Sequence, residues 1–425
     1  MNCLGGVKER YMSFARLLRV FLCLMVFGLV AVGAFAEDWP QFRGPDRNGL
    51  SKETGLLKQW PQGGPSLVWT TEGCGLGFSS AAIADGTIYV AGDSGQQCQV
   101  VAMDLQGKVK WRRPFGQAHV RGRFPGTRST PTVDGNSVYC LGPQGDLARI
   151  DAKTGRLRWS VNIIERFRGR NIQWKLSESV LIDGNNVICT PGGNNATLVA
   201  LNKNTGATVW TSKGLSDAPG YSSPIVYKVG PGRIISTLTA SGLVGVNAAN
   251  GNFLWRYDRP SNRTANCPMP VFYKGAVFSA SGYNTGGGLV RINASRSRVS
   301  ANQAWETSDM DNHHGCYVVI DDHIYGHGNR SGWTCINFNT GATVWRDQGI
   351  GKGSVVSAEG MLYCRNEGGT VGLVKVNPNR YELVSQFRMP RAGSRPTWAH
   401  PAIANGKLYL RDDDKLFCYD IKAKK

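Results

Sequence analysis

The heptapeptide Asn339-Thr340-Gly341-Ala342-Thr343-Val344-Trp345 occurs a second time, without a change, at Asn204-Thr205-Gly206-Ala207-Thr208-Val209-Trp210. Looser copies stand at Gln106-Gly107-Lys108-Val109-Lys110-Trp111, Lys153-Thr154-Gly155-Arg156-Leu157-Arg158-Trp159 and Asn250-Gly251-Asn252-Phe253-Leu254-Trp255. An Asp or Asn precedes each (Asp104, Asp151, Asn202, Asn247, Asn337). Its side chain braces a tight turn, and the Gly supplies the positive φ that such a turn needs. Each copy therefore reads as strand, turn, strand, and a chain that repeats one hairpin along its length is confined to a repeat architecture.

The strand after each turn ends on an aromatic residue. The series is Trp69, Trp111, Trp159, Trp210, Trp255, Trp305, Trp345 and Phe387, eight positions 40 to 51 residues apart. This is the period of a four-stranded propeller blade rather than of a helical solenoid repeat. A second hairpin precedes each turn, as in Ile83-Ala84-Asp85-Gly86-Thr87-Ile88-Tyr89 and Val133-Asp134-Gly135-Asn136-Ser137-Val138-Tyr139. After Phe387 the sequence holds only three more strands, whereas Ser66-Leu67-Val68-Trp69-Thr70 has no partner strands before it. The expected fold is all-β: an eight-bladed β-propeller of four-stranded antiparallel blades over 66–425, closed by residues 66–70 completing the last blade. Closure removes the exposed sheet edges.

Before the propeller come two other segments. Residues 1–36 carry Lys8, Arg10, Arg16 and Arg19, an apolar run from Val20, and the small-residue site Ala34-Phe35-Ala36. They read as a signal peptide cleaved near Ala36, which directs the chain to the periplasm or outside the cell. Residues 37–65, rich in Gly and Pro, are expected to pack across the propeller. Removing the leader takes the formal charge from +19 to +16. The Lys and Arg residues are scattered through every blade rather than gathered on one stripe, so no nucleic-acid partner is expected. Five of the nine cysteines that follow the leader (Cys140, Cys189, Cys335, Cys364, Cys418) recur at fixed places in the repeat, as small apolar filler does.

Together the Asp/Asn-x-x-Thr-Gly-x-x-x-Trp units over 66–421 resemble the PQQ-like repeat of quinoprotein dehydrogenases and of the BamB outer-membrane assembly protein. The opening Trp39-Pro40-Gln41-Phe42-Arg43-Gly44 and the run Asn312-His313-His314-Gly315 look like short secreted PQQ-like proteins of planctomycetes. In quinoproteins the resemblance implies a quinone on a channel Trp, a disulfide of adjacent cysteines over its other face, and a calcium held by Glu, Asn and Asp. This chain has no Cys-Cys dipeptide. Trp174, Trp398, Glu178 and Asp311 are candidates for an aromatic floor and an acid, none within a motif that carries a role over. No cofactor is expected, with PQQ and calcium as the alternative.

Symmetry brings equivalent residues of all blades to one end of the channel. Residues that precede or begin the innermost strands place Arg128, Glu178, Tyr221, Asn266, His313, His314, Trp398 and His400 at one mouth, with Arg121, Arg123, Lys352 and His327 near it. This is the expected ligand site. No metal is expected at His313-His314, because neighbours in an extended segment point to opposite sides. Nor is there a nucleophile elbow, an HExxH helix or a phosphate loop. The chain is read as a binding or assembly scaffold with a protein partner or a small-molecule ligand and an association with the cell envelope; the alternative is a quinone- or metal-dependent oxidoreductase.

Overall fold

The computed structural model describes residues 37–424 apart from 195, 296 and 297, so the expected leader lies outside the described residues. Eight antiparallel sheets follow one another as blades: 82–117, 132–162, 181–211, 225–257, 271–307, 317–347, 353–388, and 402–420 completed by 66–71. In the last blade Ser66–Thr71 pairs antiparallel with Lys415–Asp420, Ser66 opposite Asp420 and Thr71 opposite Leu416. The ring is closed as the strand count requires.

The repeat signature is explained by what happens between blades. The indole N–H of an outer-strand Trp donates to a main-chain carbonyl in the turn of the next blade: Trp69 to Leu105, Trp111 to Ala152, Trp159 to Lys203, Trp210 to Ala248, Trp305 to Phe338 and Trp345 to Asn377, at 2.9 to 3.2 Å. In five of these junctions the turn glycine of the next blade lies on the Trp ring. A Cβ on Gly341 would stand 2.5 Å from the Trp305 ring, and one on Gly107 would stand 2.7 Å from Trp69. Gly is thus required twice over, by φ and by contact. A one-residue bulge directly before each Trp, as at Val209 or Val344, turns the ring toward its neighbour.

Blade seven departs from the expected series. Its bulge falls at Val384, so the register places Ser385, not Phe387, at the position that Trp holds elsewhere. The missing ring is supplied from outside the blade. Trp60 donates its main-chain N–H to Ser385 Oγ at 3.0 Å and packs on Tyr363 and Phe387 at ring separations of 6.0 and 5.3 Å.

The rest of the N-terminal segment enters the channel from the far end of the inner strands. Leu50–Ser51 adds a short parallel strand to the inner strand of blade seven, Gly353–Ala358. Buried Arg43 donates to the carbonyls of Tyr317 and Val355, and buried Arg47 to those of Ser179 and Val180. Glu53 accepts from the N–H groups of Asn405 and Gly406. Residues 37–65 therefore tie blades three, six, seven and eight to one strap. Polar groups that the inner strands leave without a sheet partner find one in it. The nine described cysteines are free and, apart from partly buried Cys267, fully buried.

Candidate functional site

At the opposite end of the channel lies a cavity of about 360 Å³, walled mostly by apolar surface. Its floor is Phe42, the tip of the strap, set edge-on against His400 with ring centres 4.9 Å apart. Trp398 is the hub of its wall: Phe78 and Phe124 lie 4.8 Å from it, His313 and His314 5.8 Å. Trp174 and Tyr221, 5.8 Å apart, stand in the same wall. Trp174 follows the short helix Ile163–Phe167, which Asn162 caps by accepting the N–H groups of Ile164 and Glu165.

Six of the eight residues expected at the mouth line this cavity: Arg128, Tyr221, His313, His314, Trp398 and His400. Glu178 and Asn266 do not. In the extended segments that lead into the inner strands, neighbours alternate sides, so Ser177 lines the cavity while Glu178 turns into blade three. There its carboxylate accepts the N–H and hydroxyl of Thr190 at 2.6 and 2.8 Å. Likewise Ala265 and Cys267 face the cavity, while Asn266 donates back to the carbonyls of Thr239 and Asn262. His327 also stays outside, buried with its ring 5.5 Å from Trp333.

Two residues that the sequence reading missed come from the turns between the second and third strands, which return to the same end of the ring. Glu367 of blade seven accepts the Trp398 indole N–H at 2.8 Å and lies 3.3 Å from Lys352 Nζ. Tyr283 of blade five meets His313 Nε2 with its hydroxyl at 3.1 Å. The His313-His314 pair also departs from the expected opposed arrangement. Residues 313–315 bend rather than extend, with Cys316 at φ +52°, and the two Nδ1 atoms lie 3.2 Å apart. The premise used to set a shared metal aside does not hold in this loop.

Electrostatically the cavity holds three cationic side chains, Arg123, Arg128 and Lys352, against the single carboxylate Glu367. Burial pushes His313 down to about 4, His400 to about 3 and His314 well below its ordinary value, with Lys352 adding to the effect at the adjacent pair. The imidazoles are therefore neutral near pH 7. Arg128 lies over Phe78, 5.1 Å from the ring centre, and donates to the carbonyls of Gly126 and Phe124. Desolvation lowers it to about 10, so it stays charged. Asp93 attracts it from a distance but already accepts from Thr127, Cys98 and the His119 N–H. Among the described residues no carboxylate stands within ion-pair distance of Arg128. A larger depression of about 520 Å³ lined by Asp309, Arg346 and Asp347 is an open polar surface on which Asp309 is already paired with Arg346.

The sequence matches the family described as "Outer membrane protein assembly factor BamB" over residues 58–166 and 125–347. The quinoprotein alcohol dehydrogenase PedH of Pseudomonas putida is 29% identical over 151 residues, which are 34% of this chain and 24% of that one. The outer membrane protein assembly factor BamB of Yersinia pestis is 25% identical over 246 residues, 55% of this chain and 56% of the relative. The chain thus spans from a quarter to about half the length of these curated relatives. The crystal structure of BamB from Moraxella catarrhalis superposes with a TM-score of 0.61 at 15% identity, over 85% of this chain and 98% of that one, a likeness of fold.

Proposed function

The chain belongs to the family of the outer membrane protein assembly factor BamB, and on that premise we propose that it is an envelope-located binding propeller whose channel mouth takes a small planar anion such as an aromatic carboxylate. The observation that carries this reading is Arg128, a charged guanidinium laid over an aromatic ring at the cavity wall without a carboxylate partner. A half-buried cation is stable when an anion or a set of dipoles answers it. Here two carbonyls answer part of it, and the neighbouring Trp398, Phe124 and Tyr221 offer faces on which a flat ligand stacks. Envelope location and a protein partner are supported by the relatives named for outer-membrane assembly, the proposed partner meeting the outer surface of the ring while the ligand occupies its mouth.

The alternative, catalysis with a calcium-bound quinone, has less support in the donor set. Calcium takes about six to eight oxygen ligands, whereas the cavity offers one carboxylate among imidazoles and cations. No step through such a group is derived.

Titration with 4-nitrobenzoate, a planar anion that quenches indole emission, tests the reading against neutral 4-nitrobenzamide. Saturable quenching is expected for the anion only, and Arg128→Met weakens it by about tenfold or more, the worth of one charge-assisted hydrogen bond. Equal binding of both probes, or no effect of the Arg128 substitution, refutes it.

A further inference from the structure

His313 Nδ1 and His314 Nδ1 face each other at 3.2 Å, and His314 Nδ1 lies 3.6 Å from Glu367 Oε1. One donor atom from each of the three residues falls within 4.8 Å of the others. Two imidazole nitrogens at this distance hold a proton or a cation between them. Zinc bonded at about 2.0 to 2.1 Å in a tetrahedron sets its ligand atoms about 3.3 Å apart, close to the two separations seen here. We propose that His313, His314 and Glu367 bind one divalent cation of the zinc class, with the fourth position open to the cavity.

The surroundings match such a site. The Tyr283 hydroxyl lies 3.1 Å from His313 Nε2; in the tautomer that carries its proton on Nε2 the ring donates to that hydroxyl and leaves Nδ1 free to ligate, the arrangement by which a ligating His is held in place. The Trp398 indole N–H donates to the same oxygen, Glu367 Oε1, at 2.8 Å and fixes its position. His400 Nε2 donates to the His314 carbonyl at 2.9 Å and holds the bend that turns both rings the same way. Two nitrogens and one carboxylate suit zinc and its borderline neighbours rather than calcium or magnesium, which take oxygen. Three protein ligands plus one open position are the pattern of a metal that receives a water or a ligand oxygen. Lys352, 3.3 Å from Glu367, is the competitor: its ammonium holds the carboxylate when the metal is absent and must swing away when it binds. The inference deepens the ligand-site reading and rests on it only for what fills the open position.

The test uses the full mature chain, stripped with chelator and titrated with zinc chloride by calorimetry, with cobalt(II) as a spectroscopic probe. One equivalent of zinc and a tetrahedral cobalt spectrum are expected. His313→Ala and His314→Ala each lower affinity by more than about a hundredfold, beyond the roughly ten- to hundredfold cost of losing a supporting partner, and Tyr283→Phe by about tenfold. Lys352→Met tightens binding, because it frees Glu367 and perturbs no core residue. No stoichiometric binding by the parent, undiminished binding in the His313→Ala/His314→Ala double variant, or weaker binding by Lys352→Met each overturns the proposal. A stripped protein that still binds 4-nitrobenzoate through Arg128 but takes up no zinc refutes the metal and leaves the ligand reading standing.

Discussion

Trp60 stands 6.0 Å from Tyr363, within the 6.0 to 6.2 Å at which Trp69, Trp111, Trp159 and Trp345 stand from the second-strand tyrosines of their own blades. A residue of the N-terminal strap thus fills the one blade whose outer strand has lost its tryptophan. Replacing Trp60 by Ala should cost as much as emptying a blade core, about 3 to 5 kcal/mol, measured by urea unfolding. A loss below about 1 kcal/mol shows the strap to be peripheral.

The contact between turn glycine and Trp makes a sharper prediction. Gly341→Ala meets both a positive φ and the Trp305 ring, whereas Gly86→Ala meets a positive φ with no atom within 4 Å. The second should cost about 1 to 2 kcal/mol, and the first clearly more. Equal costs would show that conformation alone selects the glycine of the repeat.

Closure is tested by deleting 66–71. Without that strand Lys415–Asp420 becomes an open edge and Trp69 leaves the first junction. A melting temperature well below that of intact 37–425 is expected. An unchanged one contradicts the closure.

Much of this was legible in the sequence because it is periodic. Spacing gave eight blades and their closing strand, since a turn, a glycine and a tryptophan must recur together for adjacent blades to lock. Trp60 was not legible: it replaces a ring from outside the repeat, and Phe387, two residues beyond the vacated position, mimics the count. At the mouth, the start of each inner strand located Arg128, Tyr221 and His400. Side-chain alternation, invisible to a count of blade equivalents, misassigned Glu178 and Asn266. Glu367 and Tyr283 lie on the other connection that reaches the mouth in each blade, the turn between the second and third strands, away from the inner-strand starts that the repeat count marks.

Glu178 carries a pH prediction. Burial raises its carboxyl from 4.5 to about 7, against the hydrogen bonds of Thr190 and the attraction of Arg47. Between those two values the folded chain holds a proton that the unfolded chain has released, so stability falls as pH rises. The contribution is full below 4.5 and gone above about 7, a change of about 3 kcal/mol. Glu178→Gln should remove this part of the slope. A variant with the same pH dependence as the parent would mean the carboxyl is ionised throughout.

The central claim is that the mouth facing Trp398 is where a flat anion sits. Crystals soaked in 4-iodobenzoate test it most directly, because the anomalous signal of iodine marks position without reference to any assumed pose. One peak in the cavity, with the carboxylate turned to Arg128 and the ring against Trp398, is the predicted result. Peaks only on the outer strands or between blades, with the cavity empty, would contradict it.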